Sequence, residues 1–162
     1  MGAGKTTIGK KLANRLGVRF FDLDALIVAE HGPIDVIFDR LGNAAFRSFE
    51  LTALQRTIED EEPGVIALGG GAVTHPPTLD VVKAKTFSIW LYLSIEDTIK
   101  RVRSAKRVRP LLGPNPKNSK IIGLYTGRLA VYRQSDLIVE AAGKTPSKLV
   151  TAIIEQLPKE LL

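Results

Sequence analysis

Met1-Gly2-Ala3-Gly4-Lys5-Thr6-Thr7 opens the chain and reads as most of a phosphate-binding loop. The full motif is G-x-x-x-x-G-K-[ST], set between a buried strand and a helix. Gly4-Lys5-Thr6 supply its diagnostic end; the first glycine and the preceding strand would lie ahead of Met1. Glycines let successive backbone N–H groups converge on phosphate oxygens, and the N-terminus of the following helix adds a favourable dipole. Lys5 is then placed to reach the β- and γ-phosphates, and the Thr6 hydroxyl to ligate Mg²⁺. An incidental glycine-rich start to a helix is the competing reading, which the loop alone leaves open.

Outward from the loop, helical and strand-like segments alternate, the pattern of an α/β fold with a mainly parallel sheet. Ile8, Leu12 and Leu16 predict a helix over Thr6–Leu16, and Val18–Phe21 predicts a strand ending at Asp22-Leu23-Asp24. Short helices are expected over Leu26–Glu30 and from Pro33 to Gly42, then a longer one from Asn43 to about Glu61. Val65–Leu68 is a continuous apolar run, as expected of a strand buried on both faces, and it ends in Gly69-Gly70-Gly71. Further elements are expected at Thr78–Lys83 (helix), Phe87–Leu93 (strand), after Ser94 (helix), Ser119–Arg133 (helix), Leu137–Val139 (strand) and after Thr145-Pro146 (helix).

The 162 residues fit a single domain over 1–162, and 44% hydrophobic with 25% charged residues is ordinary globular composition. With no cysteine, disulfide frameworks, thiolate zinc sites and cysteine nucleophiles are excluded, and a cytoplasmic setting is expected. No run is long enough to span a bilayer, so no membrane partner is expected. The net charge of +6 suits anionic partners. Basic residues concentrate in 100–109, beside a Pro/Gly/Asn-rich loop over 110–118, without the interleaved aromatics that stack nucleic-acid bases. A solvated helix face is the plain alternative for that run.

Three further constellations bear on chemistry. Asp22 and Asp24 close a strand, where ligands of open α/β sheets gather; one could serve Mg²⁺ and the other an acceptor hydroxyl, or one could merely cap the next helix. Arg47 and Glu50 are neighbours on a helix face: either a surface ion pair, or an arginine oriented to grip a carboxylate. Gly69-Gly70-Gly71 reads either as a wide turn or as a place where a ligand approaches the main chain.

Together these motifs resemble shikimate kinase, from Met1 to about Leu157. The resemblance is carried by Gly2-Ala3-Gly4-Lys5-Thr6, Phe21-Asp22-Leu23-Asp24, Gly42 through Phe46-Arg47-Ser48-Phe49-Glu50, Leu68-Gly69-Gly70-Gly71-Ala72-Val73, Arg109-Pro110-Leu111-Leu112 and Arg128-Leu129-Ala130-Val131-Tyr132. It implies a parallel-sheet P-loop kinase fold, like nucleoside monophosphate kinases, whose first, central strand would be missing from this chain. The implied activity is ATP-dependent phosphorylation of the shikimate 3-hydroxyl, with Mg²⁺, on the route to chorismate and the aromatic amino acids.

By the same resemblance Asp24 would hold the substrate hydroxyls and assist proton removal. Arg47 and Arg128 would bind the shikimate carboxylate, and Gly70 would contact substrate through its backbone. Lys5 and Arg109 would stabilise the transferring phosphoryl group, Arg109 arriving on a lid over about 103–118. Gly2, Ala3, Gly4, Lys5, Thr6 and Thr7 would cradle the nucleotide; Thr6 would ligate Mg²⁺ and Asp22 support it. Arg101 or Arg103 would pack on adenine. A monomer is expected, with shikimate and ATP as its partners and no nucleic acid; the compartment would be the plastid in a plant, where the targeting segment would be absent from this chain. The chain departs from the family pattern at Ala67, where a small hydroxyl residue is usual, and at Glu140-Ala141-Ala142-Gly143, where the adenine loop usually reads Asp-Thr. The alternatives are another small-molecule kinase, such as a gluconate kinase, against which the paired arginines and the triple glycine argue, and a non-catalytic binding or regulatory protein, against which the presence of Lys5, Asp24, Arg47, Arg109 and Arg128 argues and which the missing strand leaves open.

Overall fold

A computed structural model describes residues 2–59, 62–104, 111–113 and 115–162. Helix α1 (Lys5–Leu16) follows the glycine-rich loop directly and buries Ile8, Leu12 and Ala13 on one face. Strand β1 (Arg19–Asp22) runs without a loop into α2 (Leu23–His31). Asp22 is both the last residue of the strand and the cap of the helix, its side chain accepting from the Ala25 N–H. The helix expected from Leu26 thus starts three residues earlier, and of the two aspartates it is Asp22 that caps it. The cap satisfies a helix N–H that would otherwise lack a partner, so the helix begins at Leu23 and Asp24 lies in its first turn.

Helix α3 (Ile34–Glu59) is bent where Gly42 adopts φ 79° and ψ 178°, at the expected junction of two helices. The limb after the bend turns Phe46, Arg47, Glu50, Leu54 and Thr57 inward. Strand β2 (Gly64–Ala67), a 3₁₀ turn (Ala72–Thr74) and α4 (Pro76–Lys85) come next. They are followed by β3 (Ile89–Tyr92), α5 (Ile95–Ser104), α6 (Asn118–Tyr132), β4 (Leu137–Glu140) and α7 (Pro146–Ile154). Of the expected lid, 105–110 and 114 lie outside the described residues, Arg109 among them.

All strand pairing among the described residues is parallel. β1 pairs with β2, Asp22 opposite Ala67, and β3 pairs with β4, Tyr92 opposite Glu140. Among the described residues the expected sheet is present as two two-stranded parallel sheets, β1 with β2 and β3 with β4. One apolar cluster joins them: Ile8 and Leu12 of α1 with Val139, Leu149, Val150 and Ile153, against which Val65 of β2 and Ile89 and Leu91 of β3 pack. A second cluster, Leu23, Leu54 and Val82, ties α2, α3 and α4 together. No helix among the described residues is long and apolar enough to cross a membrane. Because the strands are parallel, the C-terminal ends of β1 and β2 lie together, which brings Asp22 and Asp24 beside the triple glycine.

Leu54 is fully buried at the centre of the second cluster. Leu54→Ala is expected to cost about 2–5 kcal/mol in denaturant unfolding. A loss below about 1 kcal/mol, the size of a surface substitution, would contradict that placement.

Candidate functional site

One cleft runs from the glycine-rich loop to the triple glycine, lined at one end by Gly2–Thr7 and Asp22 and at the other by Asp24, Arg47, Glu50, 69–71 and Arg128. At the first end Gly2 and Gly4 take φ of 69° and 83°, the left-handed region that favours glycine. Gly4 is the N-cap of α1, whose first turn carries no acidic residue, so the positive end of the helix dipole stays open to an anion. The Thr6 hydroxyl donates to Asp22 Oδ2 at 2.8 Å. A hydroxyl and a carboxylate side by side form the hard-oxygen set that Mg²⁺ accepts, with phosphate and water completing its shell. Arg101 donates to the carbonyls of Gly2 and Ala141, each at 3.3 Å, and so pins the loop to the segment after β4. Arg103 instead reaches Asn118 on α6, so of the two arginines it is Arg101 that adjoins the Ala141–Gly143 loop.

The second end is organised around three glycines whose φ values are all outside the left-handed region. Glycine is needed there for space. A Cβ at Gly69 would collide with Glu50 Oε1 and come within 3.1 Å of Asp24 Oδ1. At Gly70 it would lie 3.2 Å from Arg128 Nη1 and 3.7 Å from the Tyr132 hydroxyl, and at Gly71 it would collide with the Arg47 guanidinium. The close approach anticipated for a ligand is thus also made by five side chains of the protein itself.

Arg47 and Glu50 form a buried ion pair, not a surface one. Glu50 has no solvent exposure, and its second oxygen, Oε1, has no hydrogen-bond partner among the described residues. Burial pushes the Glu50 carboxyl above its ordinary value, and the charge and hydrogen bond of Arg47 pull it back only in part. Arg128, also buried, projects from α6 towards Gly70. Two guanidinium groups therefore face the same glycine turn as two carboxylates.

The structure brings together Lys5, Thr6, Asp22, Asp24, Arg47, Gly70 and Arg128 in one cleft. Tyr132, quoted above only as the end of a motif, does not line this cleft but reaches its glycine turn, donating its hydroxyl hydrogen to the Gly70 carbonyl. Tyr132 follows Arg128 by four residues on the same helix, the spacing that puts two side chains on one face, and that signal was available in the sequence.

A family model described as shikimate kinase matches residues 1–158. The chain is 40% identical over 154 residues to the shikimate kinase of Geobacter sulfurreducens, covering 94% of this chain and 84% of that protein. It is 36% identical over 159 residues to that of Halorhodospira halophila, covering 97% and 89%. Among solved structures, the shikimate kinase of Bacteroides thetaiotaomicron superposes with a TM-score of 0.86 at 30% identity, covering 96% of this chain and 92% of that one. The shikimate kinase of Acinetobacter baumannii, solved in complex with shikimate, gives 0.84 at 32%, covering 96% and 87%.

The raised Glu50 pKa fixes the sign of a pH effect. A carboxyl with a raised folded-state pKa contributes stability that is complete below its ordinary value of 4.5 and is lost as pH rises through the folded value. Glu50→Gln removes that titration. The stability of the native sequence relative to Glu50→Gln is expected to fall as pH rises from about 4 towards about 7 in denaturant unfolding. A rise over that window would mean that pairing with Arg47 outweighs burial.

Proposed function

The chain belongs to the shikimate kinase family, and from that premise we infer that it transfers the γ-phosphoryl group of ATP to the 3-hydroxyl of shikimate, giving shikimate 3-phosphate and ADP. The observation that carries the reading is the convergence of Asp24, Arg47 and Arg128 on one glycine turn, in the same cleft as the phosphate loop.

Phosphoryl transfer is governed by positioning and charge stabilisation rather than by a strong base. The loop from Gly2 to Thr7 holds the phosphates through its N–H groups and the α1 terminus, and Lys5 faces the transferring group. Thr6 and Asp22 would hold Mg²⁺, which when bound neutralises phosphate charge. At the other end Arg47 and Arg128 take the acceptor's carboxylate. Arg47 is held in place by Glu50 and Arg128 lies against Gly70. A carboxylate so gripped fixes the ring, and Asp24 then receives a ring hydroxyl and its proton. Gly70 adds a backbone contact. Arg101 is the candidate for the adenine side of the nucleotide, and Arg109, outside the described residues, for a cation delivered by a lid that excludes water.

Gluconate and nucleoside monophosphates are anions too, so what favours shikimate is the pair of arginines together with the tight glycine turn, which suit a carboxylate borne on a ring. With ATP and Mg²⁺, the purified chain is expected to use shikimate with a kcat/KM at least about 100-fold above that for gluconate or a nucleoside monophosphate. Asp24→Asn is expected to remove nearly all turnover and leave the Kd for ATP within about threefold. Preference for gluconate or a nucleotide would overturn the reading; equal losses of turnover and ATP binding would make Asp24 a structural residue.

A further inference from the structure

Tyr132, the last residue of α6, donates its hydroxyl hydrogen to the carbonyl of Gly70, 62 residues away in the chain. We propose that this bond makes Tyr132 a positioning residue for the acceptor's carboxylate, fixing the middle glycine of the turn relative to Arg128. The proposal deepens the shikimate kinase reading and rests on it.

The three carbonyls of the turn are each held by a different donor. Gly69 accepts from the Ala72 N–H at 3.1 Å. Gly71 accepts from both the N–H and the hydroxyl of Thr74, at 3.1 and 2.6 Å. Those partners come from the adjoining 3₁₀ turn and travel with it. Gly70 alone is held from another element, by Tyr132. A trans peptide points its N–H opposite its carbonyl, so fixing the Gly70 carbonyl fixes the Gly71 N–H, and with it the plane between Gly70 and Gly71.

The same hydroxyl lies beside Arg128, one helical turn back on α6. The site that would be occupied by a Gly70 Cβ is 3.2 Å from Arg128 Nη1 and 3.7 Å from the Tyr132 hydroxyl. Tyr132 is largely buried, and its ring is seated at 5.5 Å from that of Trp90, which in turn meets Tyr92 edge-on at 5.1 Å. The hydroxyl is therefore held by a supported ring rather than a mobile side chain. A guanidinium from a helix and N–H groups from a loop can share one carboxylate only if their separation is fixed, and Tyr132 is the side chain that spans them. A displacement of even 1 Å between such groups carries a large kinetic penalty.

Tyr132→Phe deletes the hydroxyl and keeps the ring on Trp90. It leaves the half-buried Gly70 carbonyl without its donor, so the turn is free to rotate. Steady-state kinetics with both substrates, thermal unfolding and calorimetric titration of shikimate give the test. The expected result is a shikimate KM and Kd raised about 5- to 20-fold, an ATP KM within about twofold, and a Tm within about 3 °C of the native value. The calorimetric Kd reads the effect even where turnover is too low to measure. An unmoved shikimate KM and Kd would overturn the proposal. So would parallel increases in both KM values together with a large fall in Tm, the pattern of a merely structural residue. The native chain, assayed alongside, separates the two levels: if it fails to phosphorylate shikimate the functional reading falls, whereas an active native chain and an unaltered Tyr132→Phe refute the role of Tyr132 alone.

Discussion

Glu50 carries a carboxylate into the interior, where it has no contact with solvent, and the Arg47 guanidinium is the partner that makes its burial tolerable. A buried charge without a counterion costs several kcal/mol, on the order of the whole stability of a domain. Satisfying Glu50 therefore restricts what can surround it. Arg47 must lie on the same helix face, the α3 limb after Gly42 must be oriented to present both residues inward, and the main chain above them must leave room. The triple glycine meets the last condition. Any side chain at Gly69 or Gly71 would occupy the space of Glu50 or Arg47. The glycines, the bend in α3 and the buried pair are thus parts of one steric and electrostatic solution, which the proposed function uses as a clamp for a carboxylate.

The two ends of the cleft use opposite devices for the same purpose. In the proposed function, anion recognition at the phosphate loop would come from the backbone, the α1 dipole and Lys5. At the glycine turn it would come from the Arg47 and Arg128 guanidinium groups, Arg47 being held by the buried Glu50. Both are preorganised before ligand arrives, which is where electrostatic catalysis draws most of its effect, since no reorganisation is needed during reaction. Asp22 and Asp24 connect the ends: one caps α2 and receives the Thr6 hydroxyl, while the other, on the first turn of that helix, faces the acceptor end. Parallel pairing of β1 with β2 is what sets these two carboxylates against the turn.

The parts legible in the sequence were those whose cause is local. The glycine-rich loop, the helical periodicity of Ile8 and Leu12, the break at Gly42 and the apolar run before Gly69 each announce themselves within a few residues. The helix starting at Leu23 was misplaced because the capping strength of Asp22 outweighed the strand-like pattern around it. The purpose of the three glycines could not be read from their neighbourhood, because what crowds them comes from Asp24, Arg47, Glu50, Arg128 and Tyr132, far away in the chain. Periodicity could not tell a surface Arg–Glu pair from a buried one either; only the packing of α3 against α2 and α4 decides it. The division of the sheet into two is likewise a property of tertiary pairing. Arg109 lies among 105–110, which with 114 fall outside the described residues, so its part in a lid rests on the motif alone.

The central claim is that this buried arrangement exists to recognise a carboxylate. It is tested most directly by comparing kcat/KM for shikimate with that for shikimate methyl ester, which retains the ring and every hydroxyl but replaces the charged carboxylate with a neutral group one methyl larger. A site built to pair with a group rejects an analogue lacking it, because its own polar groups are left unmatched, so the ester is expected to be poorer by roughly 10²- to 10⁴-fold. An ester used within a few-fold of shikimate would contradict the account, since Arg47 and Arg128 would then have no part in choosing the substrate.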